Sequence, residues 1–172
     1  MNDSLRILVE GEGDLVFMEL VKKKIYTDKF IDIVVTKEDS VGNIANTLRD
    51  KLTNRLALGL VDNDKKQPKY LESFSVLKSN EDHRLLLKKH HDKKHYGIFF
   101  LPAFEKWLWE TAVSLNIDPK TYGYSNLKGL QEITKTHSVH KNQKFKDFIC
   151  RIRDKKNSPV SSIIRWIEEE LK

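Results

Sequence analysis

Residues 5–14 read LRILVEGEGD, and the rest of the chain is organised around them. Leu5, Ile7, Leu8 and Val9 run directly into Glu10, and Gly-Glu-Gly-Asp follows. An apolar run that ends in an acid and glycines reads as a buried strand carrying a carboxylate to its own tip. Gly11 and Gly13 allow a sharp turn there and leave room for a close approach. Residues 15–25 have helical spacing, with Phe17, Leu20, Val21 and Ile25 on one face. Asp14 then falls at or near a helix N-terminus. Residues 56–64, LALGLVDND, echo the pattern: a second apolar run ends in Asp62 and Asp64. Carboxylates crowded at the tips of two strands repel one another unless a cation lies between them. Hard oxygen donors of this kind suit Mg²⁺.

Between the two runs, residues 30–36 (FIDIVVT) are rich in β-branched residues and predict a strand. Asp39 or Ser40 can cap a helix carrying Val41, Ile44, Ala45, Leu48 and Leu52 at helical spacing. Residues 56–61 are apolar on both faces, as in a parallel sheet covered on two sides. The order strand–helix–strand–helix–strand predicts an α/β, Rossmann-like fold with a mainly parallel sheet flanked by helices. Further strands are expected over residues 74–78, 84–90 and 96–101, and helices over 104–115, 126–134, 142–154 and 160–171. A weak boundary near residues 117–125 divides an α/β domain (1–116) from a helical C-terminal extension (117–172) packed on it.

The 172 residues carry a net charge of +6, with 33% charged and 39% hydrophobic side chains. That composition supports a globular core, and the positive charge suits either an anionic partner or simple solubility. The single Cys150 excludes an internal disulfide and a thiolate-rich zinc module. With no signal peptide and no apolar run of membrane-spanning length, the expectation is a cytoplasmic protein without membrane association.

VEGEGD at 9–14 and LVDND at 60–64 together resemble the two signature motifs of the Toprim domain, found in topoisomerases, primases and OLD-type nucleases. The resemblance covers about residues 5–64, including the elements between the motifs. It implies a Toprim-like fold in which Glu10 is the catalytic acid/base and Asp62 and Asp64 bind Mg²⁺ or Mn²⁺. In the OLD-like branch an acid four residues after the first Glu joins the metal site, and Asp14 stands there. Lys65-Lys66-Gln67-Pro68 stands where many members carry a glycine, and the chain has no GxxxxGK[ST] ATPase motif. The implied function is metal-dependent hydrolysis of DNA or RNA phosphodiesters. Two alternatives stay open: a non-catalytic nucleic-acid-binding module, and a metal-dependent phosphatase or nucleotidyl transferase. A partner ATPase is also left open, and the oligomeric state is not specified.

Residues 83–95, HRLLLKKHHDKKH, read either as a solvated edge hairpin or as a surface for a phosphate backbone. In the second reading Lys88, Lys89, Lys93 and Lys94 join Lys65 and Lys66 beside the acids in binding nucleic acid. A zinc site from His90, His91 and His95 lacks cysteine partners and a helical i, i+4 pair. Residues 135–156 read as an amphipathic helix with a basic solvent face in preference to a dedicated nucleic-acid helix. Glu105 reads as a first-turn helix acid or as a further acid opening toward the carboxyl edge. Trp107, Trp109 and Trp166 read as core or docking residues.

Overall fold

The structure is a computed structural model that describes residues 4–29, 32–64 and 66–171. Strand β1 (Leu5–Val9) feeds helix α1 (Glu12–Val21), which a 3-10 turn over Lys22–Lys24 ends. Strand β2 (Ile33–Lys37) and helix α2 (Val41–Asn46) follow, and α2 runs on as a π-turn over Thr47–Lys51. The Ser40 hydroxyl caps α2 by accepting from the Asn43 N–H at 3.1 Å. Strand β3 (Ala57–Asp62) and the short helix α3 (Lys69–Glu72) lead to β4 (Phe74–Asn80), β5 (Leu85–His90) and β6 (His95–Phe100). Helices α4 (Phe104–Ser114), α5 (Leu127–Thr134), α6 (Gln143–Arg153) and α7 (Val160–Glu170) complete the chain. Phe30 and Ile31, expected to open the second strand, lie outside the described residues, as does Lys65.

All six strands form one sheet in the order β2-β1-β3-β6-β5-β4. β2, β1, β3 and β6 are mutually parallel, while β5 returns antiparallel between β6 and β4. The fold is therefore α/β with a mainly parallel sheet flanked by helices, as the element order predicts. Alternation along the strands divides the core. Leu5, Ile7, Val9, Leu58 and Leu60 pack with α1, α4 and the C-terminal helices, whereas Leu8, Ala57 and Val61 pack with Ile44, Ala45, Leu48 and Leu71. Gly59 permits α2 to come close, since a Cβ there would stand 3.0 Å from Ile44 Cγ2. The larger core is continuous across residue 116: Phe17 and Trp107 share it with Leu130, Phe148, Ile163 and Trp166. Among the described residues no helix is long and apolar enough to cross a membrane.

Helix α1 starts earlier than the apolar spacing alone predicts, at Glu12. Asp14 therefore sits in the first turn, where its Oδ2 accepts from the Gly11 N–H at 3.1 Å. An acid in the third helical position can reach back to an unpaired donor at the helix start, which is why the helix extends over Gly-Glu-Gly-Asp.

Candidate functional site

The chain leaves β1 for β2 on one side and returns through β3 on the other, so the strand order switches between β1 and β3. Ligands of open α/β sheets bind outside the carboxyl ends of the strands at such a point. A cleft of about 390 Å³ lies there. Glu10, Glu12, Asp14, Asp39, Asp62, Asp64 and Glu105 line it, with Lys37, Thr134, Lys135 and His137 among the others. The four acids expected from the sequence, Glu10, Asp14, Asp62 and Asp64, thus share one cleft.

Each inner carboxylate is held by an element end. Asp62 closes β3, and its Oδ1 accepts from the Phe104 N–H at the start of α4 at 2.8 Å. The strand tip is tied down further because the Asn63 N–H reaches the Phe100 and Pro102 carbonyls at 3.1 and 2.7 Å. Asp14 is buried, at 8% exposure, with Gly11 as its donor. Glu105, in the first turn of α4, accepts from the Thr134 hydroxyl at 2.8 Å. Thr134 ends α5 and presses on Gly13, where a Cβ would come within 2.7 Å of the Thr134 Cβ. The second glycine of the LRILVEGEGD stretch therefore serves close packing of α5 against α1.

Burial and crowding push Asp62 and Asp14 toward their neutral forms. Burial raises the Asp62 carboxyl to about 7, with Glu105, Glu10 and Asp64 adding repulsion against the Phe104 N–H. Asp14 lies well above the usual carboxylate range because it is buried and faces Asp62 and Glu105. The outer part of the cleft behaves differently. Glu12 Oε1 meets Lys37 Nζ at 2.8 Å and His137 Nδ1 at 2.9 Å, and these partners hold its carboxyl below the usual range. Lys37 also meets Asp39 at 2.8 Å.

The donor set of the inner cleft is all oxygen, and carboxylates predominate in it. Among the described residues no three His, Cys, Asp or Glu side chains stand close enough together to form a ready-made metal cage. Such a donor set fits a hard, hydrated ion that keeps several waters and binds one or two carboxylates, which is how Mg²⁺ is commonly held.

The basic hairpin lies elsewhere. β5 and β6 meet at residues 91–94, and the Lys94 carbonyl accepts from the Ala57 N–H at the amino end of β3. Asp62, at the other end, is level with Phe100. A strand rising about 3.3 Å per residue separates the two edges by roughly 17 Å. Lys93 and Lys94 therefore lie at the edge opposite the carboxylates, and Lys88 and Lys89 lie on β5, two strands from β3, so that the four do not flank the carboxylates, contrary to the expectation. The antiparallel return of β5 carries the turn to the far edge. Lys88 lies over the Phe99 ring at 4.3 Å and Lys89 over the Tyr96 ring at 5.3 Å. Lys66 is exposed in the loop that leaves Asp64. His95 spends both ring nitrogens on the Tyr70 hydroxyl at 2.6 Å and the Leu52 carbonyl at 2.8 Å, which argues against a zinc site there.

Sequence reasoning left Glu105 between two readings and did not identify Glu12, Lys37, Thr134 or His137. Lys37 carried a usable signal, being the last residue of a parallel strand and so at the carboxyl edge, level with Val9. Thr134 and His137 carried none.

Fold and cleft together define an α/β protein with an acidic, oxygen-lined site at the switch point of its sheet. Comparison with protein-family models, curated proteins and solved structures gave no match.

Proposed function

We propose that this chain is a Toprim-like, Mg²⁺-dependent phosphodiesterase acting on nucleic acid. The observation that carries the reading is the gathering of Glu10, Asp14, Asp62, Asp64 and Glu105 in one cleft, around an Asp62 carboxyl raised to about 7. The Toprim-like assignment is supported by the two motifs ending on adjacent parallel strands, β1 and β3. Asp62 and Asp64 would hold the metal, with Asp14 beside them in the cleft, and the metal would neutralise charge developing on the scissile phosphate. Glu10, at the tip of β1, takes the proton of the attacking water. Asp62 is kept in place for its task by the Phe104 N–H, and Glu105 by the Thr134 hydroxyl. Lys66 would meet phosphates beside the cleft, and Lys88, Lys89, Lys93 and Lys94 would meet phosphates remote from the scissile one.

A second reading, a nucleic-acid-binding module without turnover, has its own observation. Asp14, Asp62 and Glu105 each already have a structural hydrogen-bond partner. One experiment separates the two. Single- and double-stranded oligonucleotides are incubated with the protein and Mg²⁺ or Mn²⁺. Cleavage is expected to stop on chelation and to fall by about 10²–10⁴-fold in Glu10→Gln at saturating metal. Added metal should raise Tm in the wild type and not in Asp62→Asn with Asp64→Asn. A wild type that binds oligonucleotides and cuts none with either metal leaves the binding module.

A further inference from the structure

Hydrolysis of a phosphodiester requires two proton transfers, and Glu10 accounts for one of them. The leaving oxygen departs as a strong base and needs a donor of its own. In an in-line displacement that oxygen lies opposite the attacking water, so a single side chain is poorly placed for both tasks. Asp62 and Asp64 are assigned above to the metal, Asp14 is buried against the Gly11 N–H, and Glu105 is held by the Thr134 hydroxyl. Lys37 is held between Glu12 and Asp39, which raise its affinity for its proton. Among the described residues that line the cleft, His137 is the one imidazole, the side chain whose charge changes near neutrality.

We propose that His137 donates the proton to the leaving oxygen, with Glu12 as its positioning residue; this rests on the hydrolytic reading above. His137 lies in the turn His137–Lys141 between α5 and α6. That turn is anchored by the fully buried Val139 and by His140 Nδ1–H donating to the His137 carbonyl at 2.6 Å. The backbone is thus fixed while the ring stands 91% exposed among the residues that line the cleft, open to an incoming strand. Its Nδ1 lies 2.9 Å from Glu12 Oε1, and Lys37 pins that same oxygen from β2 at 2.8 Å. With Nδ1–H given to the carboxylate, Nε2 is the nitrogen left for the substrate.

In the step, the water oxygen bonds to phosphorus as the ester P–O bond breaks. The bonding pair moves to the leaving oxygen, which takes the Nε2 proton of His137, while the proton of the water passes to Glu10. Glu10 returns its proton to solvent and His137 regains one from it, so one water is consumed and one hydroxyl and one phosphomonoester end appear. The charged and titratable groups around the ring are Glu12 from α1, Lys37 and Asp39 from the end of β2 and its turn, and Lys135 and His140 from its own segment.

The test uses the full chain with Mg²⁺ or Mn²⁺ and two diesters: an oligonucleotide, and bis(4-nitrophenyl) phosphate, whose nitrophenolate leaves without a proton. His137→Gln should lose about 10²–10³-fold on the oligonucleotide and less than about threefold on the nitrophenyl diester. Equal losses on both substrates, or no loss on either, overturn the role of His137 while leaving the hydrolytic reading intact. A wild type inactive on both overturns the hydrolytic reading and the donor role with it. Glu12→Gln should show the same selective loss, on the oligonucleotide and not on the nitrophenyl diester; equal losses on both, or no loss on either, overturn the part given to Glu12.

Discussion

Replacing Asp62 by Asn should stabilise the metal-free protein, and by an amount that grows with pH. The folded-state carboxyl sits at about 7 against an ordinary 3.8. A carboxyl raised by folding binds more protons folded than unfolded between those two values. Stability contributed by the protonated form is therefore complete below about pH 4 and is lost as pH rises toward 7. At 1.36 kcal/mol per pH unit the gap corresponds to about 4 kcal/mol, and water at the open side of the cleft reduces this to roughly 2–4 kcal/mol. Asn has nearly the shape of the neutral acid and its carbonyl can still accept from the Phe104 N–H. Wild type and variant should therefore be equally stable near pH 4, with the variant ahead by roughly 2–4 kcal/mol at pH 8. For a chain of this size that is about 5–15 °C in Tm. Urea unfolding followed by circular dichroism from pH 4 to 8.5, in chelator and at fixed ionic strength, measures the difference. Mg²⁺ should close the gap by stabilising the wild type. An offset that stays constant across the range, or a variant less stable than the wild type at pH 8, would refute the electrostatic account of the cleft.

Gly13→Ala inverts the usual expectation for a helix. Ala is ordinarily worth about 1 kcal/mol over Gly, but here the new Cβ meets Thr134 at 2.7 Å. Overpacking of this kind costs roughly 1–3 kcal/mol, so a lowered Tm is expected, with recovery when Thr134→Gly is added; a raised Tm in the single variant contradicts the packing argument. Neutralising Lys88, Lys89, Lys93 and Lys94 to Gln should flatten the salt dependence of duplex binding, by about 0.9 in log–log slope for each phosphate no longer neutralised. Because Lys93 and Lys94 sit at the far edge of the sheet and Lys88 and Lys89 lie on β5, two strands from β3, the cleavage rate of a short, fully bound oligonucleotide should not change. An unaltered slope returns the hairpin to the role of a solvated edge.

Much of the fold was legible in local pattern. Alternating and continuous apolar runs mark the strands, and Ser40, Asn126 and Asn142 cap α2, α5 and α6 through their side chains. Glu10 and Asp62 were readable as edge acids because a strand's end is a local property, and parallel strands bring like ends together. What the residues themselves do not encode is distance across the chain. The antiparallel return of β5 reversed the expected neighbourhood of the lysine hairpin, although its strands were correctly expected. Thr134 and His137 reach the cleft because α5 and the turn after it pack on α1, more than a hundred residues earlier. The raised Asp62 carboxyl is likewise a tertiary property, since burial and the facing charges of Glu105, Glu10 and Asp64 set it. Sequence determined the strands, the helices and the acids at the strand tips; only packing decided which charges face one another, because desolvation and Coulomb interactions depend on separation in space.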